Sequence, residues 1–280
     1  MSRTDRSIEI LNEGSPGSAL DPLDRGLLYG DGLFETMAVI DGRIPLWIRH
    51  LERLQTGCAA LGFDSPPAAR IERMLDEVCV DRRRAAARLT VTRGTGGSGY
   101  RPPAGATPAC IVEGRSWPEY PAMLWTDGIR LRTCSTRLAV GGPLPGVKHL
   151  NRLEQVLARA EWDDTAVTEG LMLDADGYVV EGTMTNIFVQ EGSRLVTPPV
   201  DRCGVAGVLR ALVMESAGQA GLLVSEQRLR LPRLLRADAL FVTNAVVGLW
   251  PVRELEGRIF PVTDAVRDLQ AVVAGIAGAR

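Results

Sequence analysis

Apolar and β-branched runs alternate with turn-forming pairs along the first hundred residues. Residues 35–40 (ETMAVI) and 43–47 (RIPLW) flank Asp41-Gly42, a pair suited to a tight hairpin turn, so the two runs predict paired strands. Ile48, Leu51, Leu54, Cys58 and Leu61 then recur at helical spacing, and 68–78 predicts a second helix with Ile71, Leu75 and Val78 on one face. Residues 88–92 and 109–112 read as strands on either side of a glycine-rich excursion, 93–100. The Pro- and Trp-bearing stretch 115–121 reads as a linker. The expected organisation is a smaller N-terminal α/β domain over 1–115, a linker over 116–121 and a larger C-terminal domain over 122–280. In the latter, 128–134 reads as a strand, 151–162 as a helix, 174–177 and 191–193 as hairpin turns, 207–220 as a helix, 239–243 as a strand and 262–278 as a closing helix. No repeat of fixed period is present.

Composition narrows the class. At 280 residues the chain can bury a large core, and 45% hydrophobic against 24% charged residues is an ordinary globular balance. A net charge of −2 and a pI near 5.8 offer no basic field for nucleic acid or an anionic membrane. The start, MSRTDRSIEI, lacks the apolar core of a signal peptide, and no apolar run reaches the ~18 residues of a membrane span. Five scattered cysteines (Cys58, Cys79, Cys110, Cys134, Cys203) form no CxxC pair, which predicts reduced thiols in the cytoplasm. His50 and His149 are the only histidines and no ligands cluster, so no metal is expected.

The choice of cations is more telling. Of 32 lysines and arginines only Lys148 is a lysine, in Pro145-Gly146-Val147-Lys148-His149-Leu150-Asn151-Arg152. Arginine stays protonated, whereas a lysine amine can lose its proton and attack a carbonyl. Lys148 also fits a plain reading as a surface cation that survived a bias toward arginine codons.

Three further features point to a phosphate-bearing cofactor. Glu181, in Glu181-Gly182-Thr183-Met184-Thr185-Asn186, follows a short strand and either faces water or holds a pyridinium N–H. Cys203-Gly204-Val205-Ala206-Gly207 opens a helix and would offer free backbone N–H groups and the positive end of the helix dipole to a phosphate. Arg53 sits on the helix face opposite Leu51 and Leu54, as a solvated cation or as a phosphate clamp.

Together with Asp24-Arg25-Gly26, Tyr29-Gly30-Asp31-Gly32-Leu33-Phe34-Glu35 and His50-Leu51-Glu52-Arg53-Leu54, these motifs run over nearly the whole chain. They resemble the fold-type-IV pyridoxal-phosphate enzymes, the class IV aminotransferases and their relatives. Within that group residues 146–155 and 93–100 are similar to the aminodeoxychorismate lyases. Two positions separate the possibilities. The aminotransferases usually carry a tyrosine five residues after the lysine, where this chain has Leu153; Phe34-Glu35-Thr36, however, has the aminotransferase form.

The resemblance implies an α+β, two-domain enzyme, a homodimer in the cytoplasm, that eliminates pyruvate from aminodeoxychorismate to give 4-aminobenzoate for folate synthesis. It implies pyridoxal 5'-phosphate bound covalently to Lys148, the catalytic residue. Glu181 is expected at the ring nitrogen, and Arg53, Val205 and Ala206 at the phosphate, with Asn186, Asn244 and Ala245 also holding the cofactor. The substrate has two carboxylates, for which Arg93, Arg101 and Arg25 are candidates, with Tyr29 and Tyr100 as further substrate contacts. A fold-type-IV aminotransferase acting on branched-chain or D-amino acids would share the cofactor contacts, and a non-enzymatic binding module would lack them. The 94–100 loop, with four glycines, is expected to need a neighbouring surface to order it.

Overall fold

A computed structural model describes residues 7–11 and 20–278; of the start read for a signal peptide, residues 1–6 lie outside the described residues. Two compact units emerge from the chain, Met1–Glu119 with Val147–Asn151, and Tyr120–Gly146 with Arg152–Arg280. The Lys148 segment thus packs with the first unit, although it lies just past the middle of the chain, beyond the expected linker.

The first unit is an antiparallel sheet with helices against it. Its elements are β1 (Ser7–Leu11), α1 (Arg25–Tyr29), β2 (Gly32–Ile40), α2 (Trp47–Leu61), α3 (Ala68–Cys79), β3 (Arg84–Thr92) and β4 (Ala109–Ser116), in sheet order β1-β4-β3-β2. Met37, Leu54, Ile71, Met74, Leu89 and Val112 are fully buried between sheet and helices. The α3 face expected from Ile71, Leu75 and Val78 is the buried face.

Two expectations here need correction. Residues 43–47 do not form a strand: Asp41 and Gly42 take the left-handed turn, with φ of 47° and 73°, but only Ile40 and Arg43 then pair. Pro45 has no N–H to give a ladder, and helix α2 starts at Trp47. The long partner of β2 is β3, in register from Gly32↔Thr92 to Ile40↔Arg84. Ile48, expected in the core, is 61% exposed; α2 buries His50, Leu54, Gly57 and Cys58 instead. The inward stripe is rotated because it carries a buried histidine that hydropathy alone assigns to water.

The second unit contains α4 (Met123–Thr126), β5 (Ile129–Leu138), α5 (Leu153–Arg159), β6 (Glu169–Asp174), β7 (Val179–Gly182), β8 (Asn186–Glu191), β9 (Arg194–Thr197), α6 (Val208–Ser216), β10 (Leu223–Glu226), α7 (Leu231–Leu234), β11 (Ala239–Asn244), β12 (Gly248–Leu255), β13 (Arg258–Ile259) and α8 (Asp264–Ala277). Strands pair in the order β8-β11-β12-β5-β6-β7, and β7 meets β8 again at Glu181↔Asn186, which closes a six-stranded ring. Strands β9 and β10 extend it from β8. The chain is α+β. Ile129, Leu171, Ile187, Val242, Trp250 and Val252 fill the main core. At the closure point, the two ends of the β7–β8 turn stand opposite each other, and those two residues are Glu181 and Asn186.

Candidate active site

The first group of site residues is built on β2 and α2. The segment 147–151 lies along β2: Phe34 N–H donates to the Lys148 carbonyl at 3.1 Å, and Leu150 N–H to that of Gly32 at 3.0 Å. These bonds fix the lysine backbone, and its Nζ lies 4.3 Å from the centre of the Phe34 ring, a cation–π distance. The next residue on β2, Glu35, is 2% exposed and accepts from His50 Nδ1 at 2.7 Å and Arg53 Nε at 2.8 Å, with a second bond from Arg53 Nη2. Burial pushes the Glu35 pKa up. The charge of Arg53 and the hydrogen bonds from His50 and Arg53 outweigh it and hold the carboxyl at about 2. Burial also holds His50 below its ordinary value, so the imidazole is neutral at pH 7 and gives its Nδ1–H to the carboxylate.

Sequence reasoning assigned a role to Arg53 and none to its two companions. His50 and Arg53 are three apart and hence on one helix face, a spacing that could have revealed the pair.

The same unit holds the residues expected at the substrate, and it divides them. Arg93 is buried, and its guanidinium donates to Asp31 at 2.7 Å, to the Gly62 carbonyl at 3.0 Å and to the Leu61 carbonyl at 2.6 Å. Arg25 donates to Asp31 at 2.9 Å and to the carbonyls of Gly99 and Tyr100 at 3.1 Å each. Both arginines are therefore committed to structure rather than presented to a substrate carboxylate. Asp31 joins them; burial raises its pKa, and the two guanidinium groups more than reverse this. Their forks hold the glycine-rich loop from within the unit, a surface the sequence could not identify. Tyr100, 86% exposed, has its ring centre 5.5 Å from that of the half-buried Tyr29, and Arg101 beside it is exposed.

The second group lies at the ring closure of the second unit. Glu181, 4% exposed, accepts from Val205 N–H at 2.9 Å and faces the Asn186 amide at 3.5 Å. Asn186 also donates to the Val205 carbonyl at 2.9 Å, so one side chain joins the carboxylate to the loop that opens α6. Here the expectation of free N–H groups is corrected: Val205 N–H serves Glu181, and Ala206 N–H donates to the Gly146 carbonyl at 2.9 Å. The loop is nonetheless a close-fitting cradle. A Cβ at Gly204, where φ is +86°, would stand 2.7 Å from Val180, and one at Gly207 would stand 2.0 Å from Asn186 Oδ1. Asn244 donates to the Met184 carbonyl at 3.3 Å and accepts from Val246 and Val247 N–H at 2.9 Å each, shaping the turn that contains Ala245.

The first unit thus presents an amine and an oriented guanidinium, and the second, taken by itself, a buried carboxylate beside a glycine cradle. No group of three or more His, Cys, Asp or Glu side chains able to hold a metal occurs among the described residues.

Residues 32–255 match the sequence profile of amino-transferase class IV. The crystal structure of a 4-amino-4-deoxychorismate lyase from Pseudomonas aeruginosa superposes with a TM-score of 0.88 at 44% identity, covering 96% of this chain and 98% of that one. An aminodeoxychorismate lyase from Vibrio harveyi is 32% identical over 92% of this chain and 96% of its own length. A Methanocaldococcus jannaschii protein provisionally named a branched-chain-amino-acid aminotransferase is 38% identical over 84% of this chain and 82% of its own. The chain belongs to the class IV aminotransferase family.

Proposed function

We propose that the chain is a pyridoxal 5'-phosphate-dependent 4-amino-4-deoxychorismate lyase, which releases pyruvate and leaves 4-aminobenzoate for folate synthesis. The observation that carries this reading is the setting of its only lysine, fastened by its backbone to β2 and set against Phe34. The likeness to lyases along almost the whole chain supports the choice of reaction.

Bound pyridoxal phosphate supplies an electron sink to the carbon bearing the substrate amine. Lys148 holds it through its amine. When not holding the cofactor, the Lys148 amine would take the proton from the substrate's C4 and return it to the methylene carbon of the departing enolpyruvyl group, which leaves as pyruvate. Glu181 keeps the ring nitrogen protonated, and Asn186 steadies Glu181. Arg53, held in one orientation by Glu35, binds the phosphate together with Asn244 and Ala245. Val205 and Ala206 can join them only by exchanging their internal acceptors for phosphate oxygens. Tyr29, Tyr100 and Arg101 are the substrate contacts in this reading, with Arg93 behind them as support.

A class IV aminotransferase is the second reading, favoured by Glu35 on β2. Against it, Leu153 is 73% exposed and brings no hydroxyl to the place where the resembling aminotransferases carry tyrosine. A turnover assay with aminodeoxychorismate and no oxo-acid acceptor separates the two. Equal release of 4-aminobenzoate and pyruvate is expected; amine transfer that requires an oxo acid, without pyruvate release, would overturn the lyase.

The reading includes a homodimer. On α5, Leu153, Val156 and Leu157 are all more than half exposed at one-face spacing, a stripe suited to cover by a second copy. It also includes a cytoplasmic setting, in keeping with five free cysteines.

A further inference from the structure

Glu169, the first residue of β6, is fully buried and has no part in the chemistry above. Its surroundings are unusual for a carboxylate with no ion-pair partner among the described residues. Oε1 accepts from Gly170 N–H at 2.8 Å, Thr183 N–H at 3.0 Å and the Thr183 hydroxyl at 2.5 Å. Oε2 accepts from Met184 N–H at 3.2 Å and the Thr185 hydroxyl at 3.0 Å. Four of the five donors belong to residues 183–185, which join β7 to β8. The turn is wrapped around one side chain.

That turn has Glu181 and Asn186 at its two ends. Its tip passes the Met184 carbonyl to Asn244 at 3.3 Å, and Asn244 in turn holds the amides of Val246 and Val247. Glu181 and Asn186 hold Val205 by its N–H and its carbonyl. These hydrogen bonds, with the covalent turn between them, therefore connect Glu169 to every second-unit segment assigned to the cofactor. Gly182 shows how closely the turn is drawn in: a Cβ there would lie 2.2 Å from Thr185 Oγ1 and 2.9 Å from Glu169 Oε2.

We propose that Glu169 is the positioning residue of this face, organising the 183–185 turn so that Glu181, Asn186, Val205 and Asn244 are placed before any cofactor binds. It touches neither substrate nor cofactor. A plain structural role would confine its influence to its own contacts; a positioning role predicts an effect on amides it never meets. The inference rests on the assignment of these segments to pyridoxal phosphate, but its first test does not.

E169Q keeps the side-chain volume and sets an NH₂ group against N–H donors. Amide hydrogen exchange on the full-length protein, without added cofactor, is the first measurement. Exchange at Met184 is expected to rise about tenfold or more, with a similar rise at Val205, Val246 and Val247, while amides of β3 stay unchanged. A rise confined to Met184, or no rise at all, would overturn the proposal. Titration with pyridoxal 5'-phosphate, read by visible absorbance, is the second. E169Q should bind about tenfold more weakly and shift the pH midpoint of the visible band, because Glu181 is no longer held in place. Wild-type affinity and midpoint would overturn the positioning role. If the wild-type protein gives no visible band, the cofactor reading fails and the exchange result still decides the role of Glu169. Should E169Q not fold, T185V removes one hydroxyl donor at similar volume and is judged by the same amides.

Discussion

Replacing Glu35 by glutamine asks whether charge or packing sustains the network beside Lys148. The carboxylate is 2% exposed and holds His50 and both donating nitrogens of Arg53. Its pKa is lowered from 4.5 to about 2, so as pH falls the unfolded chain takes up the proton first. The stabilisation is therefore complete above about pH 4.5 and is lost as pH falls through about 2. At ~1.4 kcal/mol per pH unit, the interval from 4.5 to about 2 corresponds to roughly 3 kcal/mol. That agrees with the ~3–5 kcal/mol expected on breaking a buried ion pair from one side. E35Q keeps the shape, removes the charge and leaves Arg53 facing an amide. Urea unfolding at about pH 7 and about pH 3, followed through exchange of the β2 and β3 amides, reads the first unit by itself. The variant should be less stable by roughly 3 kcal/mol at neutral pH, and the difference should shrink steadily below about pH 4.5. A difference that stays constant down to about pH 3 would refute the reasoning and assign the loss to packing.

Four other outcomes follow from the site. K148R keeps the charge but not the amine, so added pyridoxal phosphate should give no visible band and borohydride should label no peptide; a retained band with full turnover would contradict the assignment. E181Q should bind cofactor yet lose ~10²-fold or more in kcat, as for loss of a catalytic ionisable group, and near-normal kcat would remove Glu181 from the ring nitrogen. R53A should weaken cofactor binding by ~10- to 100-fold in a fluorescence titration, the equivalent of one charge-assisted contact, and unchanged affinity would exclude it. D31N loosens the forks of Arg25 and Arg93, so chymotrypsin should cut after Tyr100 faster than in the wild type while the far-UV circular dichroism is unchanged; equal cutting rates would show that the loop does not depend on Asp31.

Sequence patterns revealed the elements whose signal is local. Asp41-Gly42 takes the left-handed turn expected of it, and Ile71, Leu75 and Val78 form the buried stripe of α3. What they missed depends on partners distant in sequence. Strand β12 contains Pro251, which reads as a strand breaker; in the fold Pro251 stands opposite Phe241, and pairing to β5 begins one residue later, at Val252. A lone cation in a loop, such as the substrate candidate Arg93, carries no sign of its acceptors, which are Asp31 and two main-chain carbonyls at the end of α2. Lys148 and Glu181 stand out by residue type and motif, and His50 by its spacing from Arg53, whereas Glu35 and Glu169 act through contacts that no spacing announces.

The preference for arginine acquires a structural reason from those contacts. Arg25 and Arg93 each bind one carboxylate and two carbonyls at once, and Arg210 joins the Pro198 carbonyl to Glu226. Such forks need several donors fixed in a plane, and a lysine, with one rotating ammonium, would lose part of each set. Where the fold requires a cation to tie segments together, arginine is the better residue; where the chemistry requires an amine that can shed its proton, arginine is useless. In the proposed reading, a chain whose thirty-two cations include a single lysine separates the two tasks. Its lysine lies in the first unit against Phe34, and the two arginines that brace the neighbouring loop are fully engaged elsewhere. Codon bias alone could thin out lysines, but it has no reason to spare this one.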